Sequence, residues 1–245
     1  MAVRWGAFAL ALVVGFLPAG VHPAWAQGCG PGMGRMALNT LTPQEQAAGW
    51  RLLFNGRTMD AWRGFRKAGM PDGWKVVDGA LTRVASEGDI ITREQFTDFE
   101  LSLEWRVESG GNSGVMYRVT EQTEATYRTG PEMQVLDDAR HPDGRSRLTA
   151  AGALYGLYPA PEGAVKPAGQ WNAARVLVDG NRVEHWLNGV RMVEYELLSR
   201  EWEAKVAASK FNEWPGYGRA ARGHIALQDH GDLVSFRNIK IRTLP

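Results

Sequence analysis

The sequence has little cysteine, no cluster of like charges and no long apolar segment beyond its N-terminus. Cys29 is the only cysteine among 245 residues, which excludes a disulfide bond within the chain. Lysine and arginine number 28 against 27 aspartate and glutamate residues, with no basic run, so the charge pattern of a nucleic-acid-binding protein is missing. We therefore expect neither a disulfide scaffold nor a nucleic-acid partner.

The motifs of several common catalytic centres are also missing. The sequence has no His-Glu-x-x-His pair, no acidic calcium loop, no phosphate-binding loop and no Gly-x-Ser-x-Gly turn. Reactive groups would thus have to come together from distant positions in the chain. No spacing indicates a ligand set for a metal ion, and a divalent cation stays open as a possible cofactor.

The N-terminus has the three parts of a secretory signal peptide. Arg4 supplies the positive charge, residues 8–17 form an apolar run, and Ala24-Trp25-Ala26 matches the cleavage pattern of small residues. The run is too short to cross a bilayer, which needs about 20 apolar residues. We predict that residues 1–26 are removed and that the protein is exported, to the periplasm or the medium.

Cys29 offers an alternative, because a cysteine just after a signal peptide can be lipidated. The preceding Ala26-Gln27-Gly28 lacks the aliphatic residue usual three positions earlier, which favours an unmodified thiol over a lipoprotein anchor. Residues 27–41 are rich in glycine and have no period, so we predict a flexible linker there. Residues 42–245 remain as a single domain.

Strand patterns dominate this domain. Residues 99–107 alternate between apolar and polar side chains, as in a half-buried strand. Residues 175–179 and 182–187 form a predicted hairpin closed by Asp179-Gly180-Asn181. A capping box at Thr42 and Glu45 predicts one short helix ending near Gly49, whereas residues 137–151, 158–169 and 201–221 look irregular. We predict an all-β fold, a two-sheet antiparallel jelly-roll sandwich with a short N-terminal helix.

Strand alternation also predicts which polar side chains share a face. Burying the apolar neighbours turns polar residues outward, Arg106 among them, and six of these form the candidate face: Glu104, Arg118, Glu132, Gln134, Gln228 and His230. If their strands are adjacent, carboxylate, amide, guanidinium and imidazole groups gather on one sheet face. A merely solvated face is the alternative, but such faces favour lysine and threonine over this set. His185 shares parity with Val183 and Leu187 and is either a core histidine or, in the other register, a neighbour of Arg118.

Several short motifs together resemble the 3-keto-disaccharide hydrolase family, formerly a domain of unknown function. The match spans about residues 50–244. The matching motifs are Leu53-Phe54-Asn55-Gly56, Asp60-Ala61-Trp62, Glu104-Trp105-Arg106, Gly111-Asn112-Ser113-Gly114, Gly130-Pro131-Glu132-Met133-Gln134, Trp171-Asn172, His185-Trp186-Leu187-Asn188-Gly189, Leu227-Gln228-Asp229-His230-Gly231 and Val234-Ser235-Phe236-Arg237-Asn238-Ile239.

The resemblance implies a concanavalin-like jelly roll in an exported bacterial enzyme that acts on glycosides oxidised at carbon 3. In that reading Glu132 and His230 are the catalytic acid and base in either order. Arg118 or a divalent cation stabilises the enolate, and Glu104, Gln134, Gln228 and His185 bind the carbohydrate substrate. A glucoside 3-dehydrogenase would be a functional partner. A non-catalytic carbohydrate-binding module and a surface structural protein are the competing interpretations.

Overall fold

The computed structural model describes Met1 and residues 37–245, so the predicted signal peptide and most of the predicted linker lie outside the described residues. The compact unit begins at Ala37, five residues before the predicted domain boundary. Asn39 explains the earlier start. Its backbone N–H donates to the side chain of Asn238 (2.6 Å), and its amide group donates to the carbonyl oxygen of Gly79 (2.8 Å). These bonds fasten residues 37–41 to the fold.

Thirteen strands and two α-helices make up the described part of the chain. The strands are β1 (Arg51–Leu52), β2 (Trp62–Gly64), β3 (Trp74–Val77), β4 (Ala80–Arg83), β5 (Ile90–Thr92), β6 (Phe99–Val107), β7 (Asn112–Val119), β8 (Glu132–Leu136), β9 (Asn172–Asp179), β10 (Arg182–Leu187), β11 (Val190–Glu196), β12 (His224–Leu227) and β13 (Val234–Thr243). The helices are α1 (Pro43–Ala47) and α2 (Arg200–Ala207).

The strands form two antiparallel sheets, which confirms the predicted sandwich. The large sheet has eight strands in the order β11-β10-β9-β6-β13-β4-β3, with β1 also paired to β13. The small sheet has five, in the order β2-β5-β12-β7-β8. The main hydrophobic core lies between the sheets, and it includes Trp105 and Phe236 from the large sheet and Tyr117 and Met133 from the small one. A second, smaller buried cluster of Ile91, Met116, Val119 and Ala226 belongs to the small sheet, whose outer face carries it beside the polar side chains of β8.

Local sequence signals account for the clearest elements. Strand β6 occupies the predicted residues, and its five odd-numbered side chains are buried. The hairpin of β9 and β10 pairs Asp179 with Arg182 across a two-residue turn in which Gly180 has a left-handed φ of 57°. Helix α1 has the predicted capping box between Thr42 and Glu45. These three predictions are confirmed.

Helix α2 corrects the prediction that residues 201–221 are irregular. Ser199 caps it by accepting a hydrogen bond from the backbone N–H of Trp202. Trp202 and Val206, four residues apart, are its only buried side chains. Two apolar positions are too few to produce a recognisable helical period in the sequence. Among the described residues, no helix combines the length and the apolar character needed to cross a membrane.

Candidate active site

A cavity of about 180 Å³ lies on the outer face of the small sheet. Strands β7 and β8 and the residues after β12 supply its floor, and the loops around residues 127, 143, 155 and 210 supply its walls. It is lined by Asn112, Tyr127, Glu132, Gln134, Asp143, Tyr155, Lys210, Phe211, Gln228 and His230. Its volume is below the roughly 300–1,000 Å³ of pockets for drug-sized ligands, so it suits a single sugar ring.

Glu132 lies on this floor because of the alternation of β8 and because of a glycine on β7. Met133 and Val135 point into the core, which turns Glu132 and Gln134 to the outer face. Gly114 lies opposite Gln134, and a Cβ atom there would be 2.1 Å from Oε1 of Glu132. The missing side chain of Gly114 is therefore what lets the carboxyl group lie across the neighbouring strand.

The environment of Glu132 favours its protonated form. Burial raises the pKa of Glu132 to about 8, and the charges of Asp89 and Asp143 act in the same direction. The positive charge of Lys210 opposes them without cancelling the effect of burial. A carboxyl group with a pKa near neutrality can accept and release a proton under ordinary conditions, as a general base or acid must.

Three amide side chains line the same cavity. Gln134 donates from Nε2 to the carbonyl oxygen of Thr149 (3.1 Å), while its own Oε1 and that of Gln228 have no partner within the described part of the chain. The amide of Asn112 lies 3.4 Å from Nε2 of His141. Buried amide groups without partners are costly, and sugar hydroxyl groups can satisfy them as donors.

The orientation of Asn112 follows from its histidine neighbour. Nδ1 of His141 accepts a hydrogen bond from the backbone N–H of Asp143 (3.1 Å), so the neutral ring carries its proton on Nε2. That proton needs an acceptor, and the Asn112 amide group, whose nitrogen lies 3.4 Å from Nε2, meets this need once its oxygen is turned toward the ring. We therefore assign the Asn112 oxygen to His141 and its NH₂ group to the cavity.

His230 lies at the mouth of the cavity. Its side chain is 48 % exposed, whereas Glu132 is only 7 % exposed. Its ring packs edge-on against that of His141 at 6.1 Å, and its Nδ1 lies 3.8 Å from a carboxylate oxygen of Asp232. The carboxyl group thus occupies the floor and the imidazole the entrance.

One carboxylate, that of Asp89, holds two segments of the cavity wall. It accepts hydrogen bonds from the hydroxyl group of Thr126 and from the backbone N–H of Asp229 (2.8 Å). Thr126 directly precedes Tyr127, and Asp229 directly precedes His230. Two residues that line the cavity are therefore fixed through the same partly buried carboxylate.

Lys210 and Tyr155 form the opposite wall. The ammonium group of Lys210 lies 4.5 Å from the centre of the Tyr155 ring. The Tyr155 hydroxyl donates to Oδ2 of Asp143 at 3.4 Å, and burial together with that negative charge raises the pKa of Tyr155 to about 12. Lys210 consequently places a positive charge in the cavity, and Tyr155 stays a neutral donor.

Two predicted members of the polar face lie elsewhere, and their positions are corrected. Glu104 belongs to the large sheet, where it pairs with Arg237 (2.7 Å) and accepts from Asn238 (2.9 Å), because alternation fixes a face but not the sheet. Arg118 is part of a β-bulge in β7 with a left-handed φ of 55°, which breaks the alternation. It is buried and donates to the carbonyl oxygen of Gly180.

His185 is also corrected, because it lies in the core between the sheets. Its Nδ1 donates to the carbonyl oxygen of Gly152 (3.2 Å), so its Nε2 accepts from the hydroxyl group of Tyr117 (2.8 Å). Burial lowers the pKa of His185 to about 4, which keeps the ring neutral. It does not line the cavity.

The described residues contain no group of three or more histidine, cysteine, aspartate or glutamate side chains placed to hold a metal ion. The residues present do not fit the divalent cation left open by the sequence, and we derive no chemistry through one.

Sequence reasoning missed six of the lining residues. Asn112 belongs to one of the motifs that resemble the family, and the segment 210–218 is rich in aromatic residues. These two features could have indicated a place in the site, although the sequence assigned no role to either. Tyr127, Asp143 and Tyr155 lie in irregular segments with no period. Their placement depends on loop packing, which alternation cannot report.

Comparison with known proteins supplies the family. A family model described as a 3-keto-alpha-glucoside-1,2-lyase-like domain matches residues 49–242. A 3-keto-disaccharide hydrolase from Bacteroides thetaiotaomicron is 34 % identical over 84 % of this chain and 82 % of its own length.

Solved structures show the same relationship. A protein from Parabacteroides distasonis ATCC 8503 described as a glycosyl hydrolase superposes with a TM-score of 0.80 at 34 % identity, covering 85 % of this chain and all of the other. A second from that organism has a TM-score of 0.63 at 28 % identity, covering 80 % and 99 %. With the matched model spanning most of the chain, the protein belongs to the 3-keto-disaccharide hydrolase family.

Proposed function

We propose that this protein is an exported enzyme that cleaves glycosides bearing a ketone at carbon 3 of the sugar. Membership of a family of glycoside-cleaving enzymes supports the reaction class. The observation that carries the proposal is Glu132, a buried carboxyl group with a pKa raised to about 8 on the floor of a cavity that suits one sugar ring.

The proposed chemistry is elimination followed by hydration. A ketone at carbon 3 acidifies the hydrogen on carbon 2, so a base can remove that proton and leave an enediolate. The electron pair then forms a double bond between carbons 1 and 2, and the bond from carbon 1 to the glycosidic oxygen breaks. The aglycone departs as an alcohol once its oxygen is protonated. Water adding across the double bond gives the free 3-keto sugar, without the oxocarbenium route of ordinary glycosidases.

The depth of the groups in the cavity supports separate roles for Glu132 and His230. The sugar ring fills the cavity, so the aglycone has to extend through the mouth. We assign Glu132 on the floor as the base for the carbon 2 proton and His230 at the mouth as the acid for the leaving oxygen. Base catalysis of this kind contributes about 10²–10⁴-fold to the rate.

The cavity also offers groups for the developing negative charge. Lys210 lies where its charge acts on Glu132, and the NH₂ group of Asn112 is a donor that lines the same cavity. These take the role that the sequence suggested for Arg118, since preorganised donors and cations stabilise an enolate oxygen. Gln134 and Gln228 accept hydrogen bonds from the sugar hydroxyl groups.

The test is release of the aglycone from a 3-keto-disaccharide, with the unoxidised disaccharide as the substrate control. Glu132→Ala and His230→Ala should each lower turnover by about 10²-fold or more. Glu104→Ala, a carboxylate on the large sheet, is the matched control and should keep wild-type activity. Near-unchanged turnover in both site variants contradicts the proposed roles. A binding module would bind the sugar without releasing product, and a surface structural protein would do neither.

Two parts of this proposal concern the cell. Export rests on the N-terminal pattern at residues 1–26, and sequencing the N-terminus of the extracytoplasmic protein should give Gln27, whereas a lipidated Cys29 at the terminus would contradict it. The substrate must first be oxidised at carbon 3, so an enzyme of the glucoside 3-dehydrogenase class has to act upstream. A chelator added to the turnover assay tests the divalent cation directly.

A further inference from the structure

Three aromatic residues form a continuous rim beside the cavity. Tyr127 and Phe211 line it, and Trp214 packs edge-on against both, with ring centres 5.3 Å from Tyr127 and 5.9 Å from Phe211. We call Tyr127, Phe211 and Trp214 the aromatic rim. Tyr127 is 38 % exposed, whereas Phe211 is 3 % exposed, so Tyr127 is the member that presents its ring outside the cavity.

The aromatic rim is held in place before any ligand arrives. Tyr127 lies in a short 3-10 helix anchored by the hydrogen bond of Thr126 to Asp89. Phe211 stacks on Tyr217 with ring centres 4.1 Å apart. The two loops are joined by the backbone N–H of Gly218, which donates to the carbonyl oxygen of Thr129 (2.8 Å). A preorganised aromatic surface loses little entropy on binding.

The size of the cavity decides what this rim can contact. A volume of about 180 Å³ suits one sugar ring, so a second ring lies outside the mouth. His230, Lys210 and Tyr127 are the exposed lining residues there. Of these three, Tyr127 offers the largest flat apolar face, since Lys210 ends in an ammonium group and His230 in a polar imidazole ring. A leaving group that carries a ring therefore meets Tyr127.

We propose that Tyr127, backed by Trp214, is the subsite for the aglycone and selects ring-bearing aglycones that present an apolar face. This proposal depends on the proposed function for its catalytic consequence. The shared chemistry is a flat face of C–H or aromatic carbon, which either a second pyranose or an aryl group provides. Aromatic side chains bind such faces by stacking, because the contact area is large and the ring is rigid.

The kinetic test compares three 3-keto-glucosides whose aglycones are a second glucose, a 4-nitrophenyl group and a methyl group. Tyr127→Ala should raise KM for the ring-bearing substrates roughly three- to tenfold, leave kcat within about twofold and leave the methyl glycoside unchanged. Tyr127→Phe should restore wild-type KM. Trp171→Ala, which removes a half-buried aromatic ring stacked beside Arg106 and Arg237 just before β9, is the matched control and should leave all three substrates unchanged.

If Tyr127→Ala raises KM for the aryl substrate alone, the subsite selects aryl aglycones. If it raises KM for both ring-bearing substrates, the subsite recognises the apolar face that they share. An equal loss on the methyl glycoside, or no loss on any substrate, overturns the proposal. If the wild type turns over none of the three, calorimetric titration with the unoxidised 4-nitrophenyl glucoside and disaccharide replaces kinetics. If these ligands then bind Tyr127→Ala more weakly than wild type, the subsite is supported although the proposed reaction fails. If they bind both proteins equally, the subsite is overturned together with the proposed reaction.

Discussion

Gly114→Ala should disable the enzyme by moving one carboxyl group and leave the fold intact. The new methyl group would lie 2.1 Å from Oε1, 2.7 Å from Cδ and 2.8 Å from Cγ of Glu132, whereas ordinary contact begins at 3.4 Å. The carboxyl group must therefore move by about 1.3 Å. A displacement of about 1 Å in a catalytic group lowers turnover roughly 10²-fold, so we expect kcat to fall by that factor. The backbone at Gly114 is not in the left-handed region, and alanine can adopt it.

The assay is kcat on a 3-keto-disaccharide together with thermal unfolding. Gly69→Ala is the matched control, because a Cβ atom there meets nothing within 4 Å and its φ is also ordinary. In a Glu132→Ala background the extra methyl group has no carboxylate to displace, so Gly114→Ala should add almost nothing. Wild-type kcat in Gly114→Ala, or a full additional loss in the double variant, would refute the reasoning that the position of Glu132 sets the rate.

Three further predictions concern ionisable groups of the site. Because the base must be ionised and the pKa of Glu132 is about 8, kcat/KM should rise with pH through about 8, and a flat profile from pH 6 to 9 would contradict this. Folding raises that pKa from its ordinary 4.5, so the stability that the neutral carboxyl group contributes is fully present below pH 4.5 and is lost as the pH rises through about 8. Glu132→Gln keeps a neutral side chain at every pH, so the difference between its Tm and that of the wild type should increase from pH 5 to pH 9. Asp89→Asn should lower unfolding stability by about 1–3 kcal/mol and raise KM, because its amide cannot accept from both Thr126 and the Asp229 N–H as the carboxylate does; wild-type Tm and KM would contradict the anchoring role.

The sequence was most informative where one local rule acts alone. Alternation placed β6 to the residue and turned Glu132 and Gln134 to the same face, since side chains in a strand have a period of two. The capping box fixed the start of α1 for a similar reason, because all its atoms lie within four residues. The outward positions of Gln228 and His230 followed from the parity of the strand before them.

The misplaced residues show where such rules stop. The predicted position of Arg118 is wrong because a bulge adds one residue to β7 opposite β12, and nothing in the local sequence indicates the left-handed φ. The predicted position of Glu104 is wrong because the alternation of side chains does not show which sheet a strand joins. The position of His185 could not be predicted because its hydrogen-bond partners, Gly152 and Tyr117, are 33 and 68 residues away in the sequence. Each of these depends on contacts between distant segments.

The separation of strand-borne from loop-borne groups has a consequence for how relatives can diverge. Glu132 and Gly114 belong to paired strands whose register fixes the proposed base, whereas Tyr127 lies in a short 3-10 helix and Trp214 in a loop, and such connecting segments tolerate substitution far better. Descendants of one ancestral gene can exchange these loop residues and accept different leaving groups while inheriting the same proton-transfer step. Paralogues should consequently share a pH–rate profile and differ in the glycosides that they consume.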